Sequence, residues 1–213
     1  IQFNPKRQLR DYQKPVMETF KNLFHTAGGA ILEAGCGMGK TTQALYMIYM
    51  MKKKTLVLLH KENLLLQWKD RISEFLPGTR VGIIQGQKIE VEDKDVVIGM
   101  IQSVSKKDYG DLFKQFGLLI VDEAHRTGAK EFCKALKNAA TYYTVGLTAT
   151  PKRADGLTKV FKWYLGETGC VLKRSLDDFN VVARAIYYSS DQYTEKKLYT
   201  GGLNYANMIG QIV

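Results

Sequence analysis

The sequence predicts an α/β fold, a parallel sheet covered by helices on both faces. Three observations carry that prediction. Short apolar strands alternate with helical segments along the chain. The strand centres are apolar throughout, as in a sheet buried on both sides. Finally, chemistry-bearing residues gather where strands end, the edge at which parallel sheets bind ligands.

The elements follow in order. Gly29–Ala34 reads as a short strand that runs into a glycine-rich segment. From Gly39 to Lys53 the sequence is rich in Ala, Leu and Met without a breaker, which predicts a helix. Its apolar run Ala44–Met51 is far shorter than the roughly 20 residues needed to span a bilayer, so it reads as buried rather than transmembrane. Lys54–Leu59 is the second strand. Glu62–Leu76 places Leu64, Leu65, Trp68, Ile72 and Phe75 at helical spacing, and Pro77–Gly78 ends it. Arg80–Ile84, Asp95–Met100 and Gly117–Val121 are further strands, the last delivering Asp122. Lys130–Ala140 reads as a helix and Thr144–Leu147 as a strand. Beyond Lys159 the pattern weakens. Val181–Tyr188 resembles a strand, Asp191–Gly202 a linker and Leu203–Val213 the start of a helix. The expected organisation is one domain over residues 1–166 and an extension over 167–213.

An apolar fraction of 45% and a charged fraction of 24% are ordinary for a soluble globular protein. The charge balance is more telling: 31 Lys and Arg against 21 acids give a net +10. That excess suits a polyanionic partner, though it also serves solubility. Cys36, Cys133 and Cys170 are far apart and form no CxxC pair, which predicts a reducing intracellular compartment, nucleus or cytoplasm, without disulfides or structural zinc. Cys36 reads as a small space-filler. His25, His60 and His125 lack metal-ligand spacing.

Ala34-Gly35-Cys36-Gly37-Met38-Gly39-Lys40-Thr41 follows a strand and opens a helix, the setting of a phosphate-binding loop. Its glycines let the backbone N–H groups turn toward phosphate oxygens, and the helix N-terminus adds partial positive charge. Lys40 is expected to reach the β and γ phosphates of ATP. Thr41, with Thr42 beside it, opens the helix, and the Thr41 hydroxyl is expected to face Mg²⁺. Ala34 stands where the simple motif has Gly. A strand also delivers Asp122 and Glu123. Alone, two such acids could be a helix cap or a solvated turn. Behind a phosphate loop, they predict a metal-binding carboxylate and a base that orients or deprotonates water. His125 would relay the nucleotide state, with Thr148 and Thr150 as hydrogen-bonding candidates toward it or Glu123. By composition alone Gly146–Pro151 is merely a strand ending at a proline.

AGCGMGKT, VDEAH and LTATP, in that order, resemble motifs I, II and III of superfamily 2 helicases, over roughly Leu9 to Gly166. Leu9-Arg10-Asp11-Tyr12-Gln13 is similar to the adenine-recognition segment of the group containing xeroderma pigmentosum group B, UvsW and poxvirus-type helicases. The resemblance implies a RecA-like domain in which Gln13, helped by Arg10, reads adenine. From the residues alone, Gln13 reads instead as an exposed position on an amphipathic helix. Leu59–Trp68 and Gly99–Val104 resemble strand-binding segments, which makes His60, Lys61, Gln102 and Ser103 candidate phosphate contacts; otherwise each is an ordinary loop polar group. Gln85–Lys88 extends the same path. Ala154 breaks the Arg-Glu-Asp triplet of the xeroderma-type group, and with it the expectation of that group's unwinding element.

The resemblance further implies DNA as partner, with RNA as the alternative, a second RecA-like domain in the same protein, and work in transcription, repair or replication complexes. A restriction-enzyme motor subunit and a nucleotide-gated binding module share these motifs. The chain opens on Ile1 and stops inside a helical pattern, so a longer protein is expected. No second arginine-bearing motif occurs in Thr168–Val213. These residues alone are therefore expected to bind ATP·Mg²⁺ but hydrolyse it slowly.

Overall fold

The parallel sheet forms because its strands are apolar on both sides and each is followed by a segment that can cross back over a face. The computed structural model describes residues 1–123, 129–149, 158–173 and 194–195. Contacts divide the chain into Ile1–Arg174 and Ser175–Val213. The strands are β1 (Gly29–Ala34), β2 (Thr55–Leu59), β3 (Val81–Gln85), β4 (Lys88–Ile89), β5 (Val96–Met100), β6 (Leu118–Asp122), β7 (Tyr143–Thr148) and β8 (Thr168–Leu172). Their order across the sheet is β4-β3-β5-β2-β6-β7-β1-β8. Every neighbouring pair is parallel except β3 and β4, a hairpin at one edge.

Each inner strand feeds two cores, as period-two alternation requires. Leu32 of β1, Val57 and Leu59 of β2 and Ile120 of β6 face one side. There they meet Phe20 of α1 (Lys14–Thr26), Leu45 and Ile48 of α2 (Lys40–Met51), and Trp68 and Ile72 of α3 (Glu62–Phe75). Ile31, Leu56, Leu58, Leu119 and Val121 face the other. That side is closed by Val104 of α4 (Ile101–Lys106), Phe132 and Leu136 of α5 (Ala129–Asn138), and Phe161 and Leu165 of α6 (Thr158–Leu165). The predicted two-sided α/β architecture is thus present. Among the described residues, no helix is long and apolar enough to cross a membrane.

Three elements depart from expectation. α1 was not anticipated, although Pro15 near its start and Val16, Met17, Phe20 and Phe24 along one side supply the signal. α4 follows β5 without a break, so Ile101–Lys106 is helix rather than loop. The sheet also continues past residue 166. Gly166 turns the chain with φ +91, and β8 adds to β1 in parallel register. The expected extension therefore starts after an eighth strand. Val181–Tyr188 and Leu203–Val213 lie outside the described residues.

Candidate nucleotide-binding site

β1 ends at Ala34 and α2 begins at Lys40, so Gly35–Gly39 must reverse direction in five residues. Gly37 and Gly39 do this with φ of +78 and +73, and Met38 N–H closes the turn on the Gly35 carbonyl at 3.3 Å. The departure at Ala34 is accommodated. It is a fully buried strand residue without positive φ, so glycine is not required there. The Lys40 ammonium rests against its own loop, donating to the Ala34 carbonyl at 2.8 Å and to that of Gly35 at 3.4 Å. Thr41 and Thr42 occupy the first turn of α2, half-buried. Cys36 is exposed, which corrects its reading as a space-filler.

A buried polar cluster braces the loop tip. Gln13 is only 2% exposed, which overturns the exposed-helix reading. Its Nε2 donates to the Met38 carbonyl at 3.1 Å, and its Oε1 accepts from the Arg10 N–H at 3.0 Å. Gln43, fully buried on α2, donates to the same Met38 oxygen at 3.2 Å, and the Tyr12 hydroxyl approaches it at 3.4 Å. Arg10 is exposed and its guanidinium donates to the Tyr12 hydroxyl at 3.0 Å. Gln43 and Tyr12 were missed by sequence reasoning. A Gln at the edge of an apolar run carries little signal of a loop contact.

On β6, between β2 and β7, Asp122 is 6% exposed. Its Oδ2 accepts from the Trp68 indole N–H at 2.8 Å and its Oδ1 from the Glu123 backbone N–H at 2.9 Å. Burial pushes the Asp122 carboxyl above its ordinary value. The Trp68 hydrogen bond opposes that rise, the neighbouring Glu123 charge adds to it, and the Glu123 N–H and Lys40 ammonium pull it down. Glu123 follows in the left-handed region at φ +52, unusual for a residue with a side chain, and its Oε2 is buried. Thr148, 2% exposed, ends β7 opposite Glu33 of β1, while the preceding Leu147 pairs with Asp122. His125 and Thr150 lie outside the described residues.

Gln13, Lys40, Thr41, Trp68, Asp122 and Glu123 share one cleft of about 870 Å³, within the range of small-molecule sites.

The strand-binding candidates fall at the carboxyl ends of β2 and β5, on the same edge of the sheet as the phosphate loop. Lys61 is exposed at the start of α3. The expectation for His60 is corrected: both its ring nitrogens are buried, so they cannot meet a solvent-borne phosphate as placed. Gln102 and Ser103 brace the surface. Gln102 Nε2 donates to the His60 carbonyl at 2.9 Å, and the Ser103 hydroxyl accepts from the Gly86 N–H at 2.9 Å. Lys107, not anticipated, donates to the Gly86 carbonyl at 3.1 Å and to Gln87 at 3.0 Å.

Known proteins resemble this chain in sequence and in fold. A family model described as the type III restriction enzyme res subunit covers residues 6–153. A protein of Acanthamoeba polyphaga mimivirus named as an ATP-dependent RNA helicase, L396, is 34% identical over 195 residues, 91% of this chain and 37% of that protein. A protein of Escherichia phage T5 named as a helicase, D10, is 34% identical over 163 residues, 76% of this chain and 34% of that protein. The chain thus spans about a third of the length of these relatives. The crystal structure of the UvsW helicase from bacteriophage T4 superposes with a TM-score of 0.64 at 18% identity, over 78% of this chain and 62% of that one. With the RecA-like fold, the phosphate loop and the family match in agreement, the chain belongs to the type III restriction enzyme res subunit family.

Proposed function

We propose that the whole protein is an ATP-dependent motor that moves along or unwinds DNA, and that this chain forms one wall of its ATP site. The observation that carries the reading is the convergence of Gln13, Lys40, Thr41, Asp122 and Glu123 on a single cleft. Lys40 exchanges its loop carbonyls for the β and γ phosphates. Gln13 and Arg10 meet the adenine edge. One hydroxyl and one carboxylate, Thr41 and Asp122, suit Mg²⁺, which takes few protein ligands and completes its shell with phosphates and water. Among the described residues, no group of three His, Cys, Asp or Glu offers a protein cage instead. Bound there, Mg²⁺ would neutralise charge on the parting phosphates. Glu123 orients the attacking water, and Thr148 transmits the state of the site along β7.

A second RecA-like domain supplies the opposing arginine, worth about 10³–10⁵ in rate in related phosphate-loop enzymes, so this domain alone turns over slowly. The basic excess supports weak, sequence-independent, salt-sensitive strand binding through Lys61 and its neighbours. Three unpaired cysteines suit a reducing, intracellular setting. The name of the mimivirus relative favours RNA as a second reading. In the full-length protein, Lys40→Ala should abolish ATP binding, and Glu123→Gln should spare binding while stopping turnover. Normal hydrolysis by Glu123→Gln would remove the base assignment, and stimulation by RNA but not DNA would reverse the substrate.

A further inference from the structure

Trp68 sits at mid-length in α3, with Leu65, Ile72 and Phe75 buried on the same side. A tryptophan at that spacing is by default part of the core. Its ring is indeed 1% exposed, yet the indole carries one N–H that must find an acceptor when buried. That acceptor is Oδ2 of Asp122, 54 residues away along the chain. Asp122 is itself desolvated and its Oδ1 accepts a second bond, from the Glu123 backbone N–H. Each oxygen therefore has one fixed donor from the protein, and the remaining lone pairs are left for the cleft that Asp122 lines. A charge-assisted bond of this kind is short, directional and about twice as strong as a neutral one. A Phe or Leu would fill the same core space but leave the carboxylate free to turn.

We propose that Trp68 is the positioning residue of the nucleotide site. Its indole N–H locks the Asp122 carboxylate in the orientation that the metal–nucleotide complex needs, so no side-chain ordering is left for the moment of binding. The inference rests on reading Asp122 as the Mg²⁺ carboxylate.

The test uses the full-length protein carrying Trp163→Phe. Trp163 is 80% exposed and is the other tryptophan of these 213 residues, so its removal leaves Trp68 as their sole indole. Affinity for a fluorescent ADP is measured with Mg²⁺ and with a chelator. Trp68→Phe should lose roughly tenfold of the Mg²⁺-dependent gain, the size of one hydrogen bond to a charged group, with Mg²⁺-free affinity unchanged. Asp122→Ala should lose the whole gain, and adding Trp68→Phe to it should change nothing more. Equal weakening with and without Mg²⁺, or a loss that adds to that of Asp122→Ala, would reduce Trp68 to a core residue and overturn the proposal. Should Trp68→Phe fail to fold, site-specific incorporation of 3-benzothienylalanine at position 68 keeps the shape and removes only the N–H, and the same loss is required. If Asp122→Ala keeps its Mg²⁺ response, the metal assignment fails as well. If only the Trp68 variants keep it, that assignment stands and this inference alone falls.

Discussion

Replacing Gly39 by alanine isolates what the phosphate loop needs from its backbone. Gly39 lies at φ +73, where an L-residue is disfavoured by about 1–2 kcal/mol. An added Cβ would also sit 2.4 Å from Gln13 Nε2, so the buried amide must leave the Met38 carbonyl. Losing that bond costs about 1–3 kcal/mol when the amide finds no new partner. Gly86 is the control. Its φ is +59, but nothing lies within 4 Å of a Cβ there, so Gly86→Ala carries the backbone term alone. Gly35→Ala is a second control: Met38 Cγ at 3.8 Å is an ordinary contact and φ is not positive, so stability should move by less than about 0.5 kcal/mol. Urea unfolding of the nucleotide-free protein gives all three midpoints. Gly39→Ala should exceed Gly86→Ala by about 1–2 kcal/mol, a difference made by the displaced amide. Equal losses at the two positions would refute the claim that Gln13 is wedged against the loop.

Other outcomes follow from the same geometry. Gln13→Ala should remove most of the preference for ADP over GDP in competition binding while sparing affinity for the phosphates. Asp95→Asn should cost a little stability near neutral pH, since the Arg80 guanidinium holds the Asp95 carboxyl below the usual range through bonds at 2.8 and 3.1 Å. A carboxylate lowered in the folded state stabilises above its unfolded pKa and stops doing so as pH falls through the folded one. The gap between wild type and Asp95→Asn should therefore close in acid, as urea midpoints across pH would report. Phe132→Ala should destabilise by about 3–5 kcal/mol in thermal melts. The ring is 1% exposed and lies 4.2 Å, centroid to centroid, from Phe161.

Much of this molecule is legible in its sequence because its strands are apolar and end where the chemistry begins. LVLL in β2 and LLIV in β6 leave little choice but a sheet buried on both sides, and AGCGMGKT needs only a strand before it and a helix after it to be understood. The less legible parts depend on partners far along the chain. Gln13 reads as exposed until the loop tip is known to cover it. Trp68 carries the periodicity of a core residue, and periodicity does not reveal a single N–H aimed at a carboxylate. β8, with its mixture of Gly, Cys and Thr, becomes a strand by pairing with β1 rather than by propensity. His60 shows the converse: a polar residue after a strand suggests a surface contact, whereas its ring nitrogens turn inward.

The oxygen of Met38 has two lone pairs and three suitors, Gln13, Gln43 and Tyr12. The crowding makes one of them dispensable. If Gln13 turns to a base, Gln43 and Tyr12 still hold the carbonyl, so no buried acceptor is stranded and the loop has no reason to relax. Shape is thereby separated from recognition. A triphosphate with the wrong base, or with none, meets the same curled backbone, and discrimination is left to the hydrogen bonds that Gln13 gives up and the ones it gains.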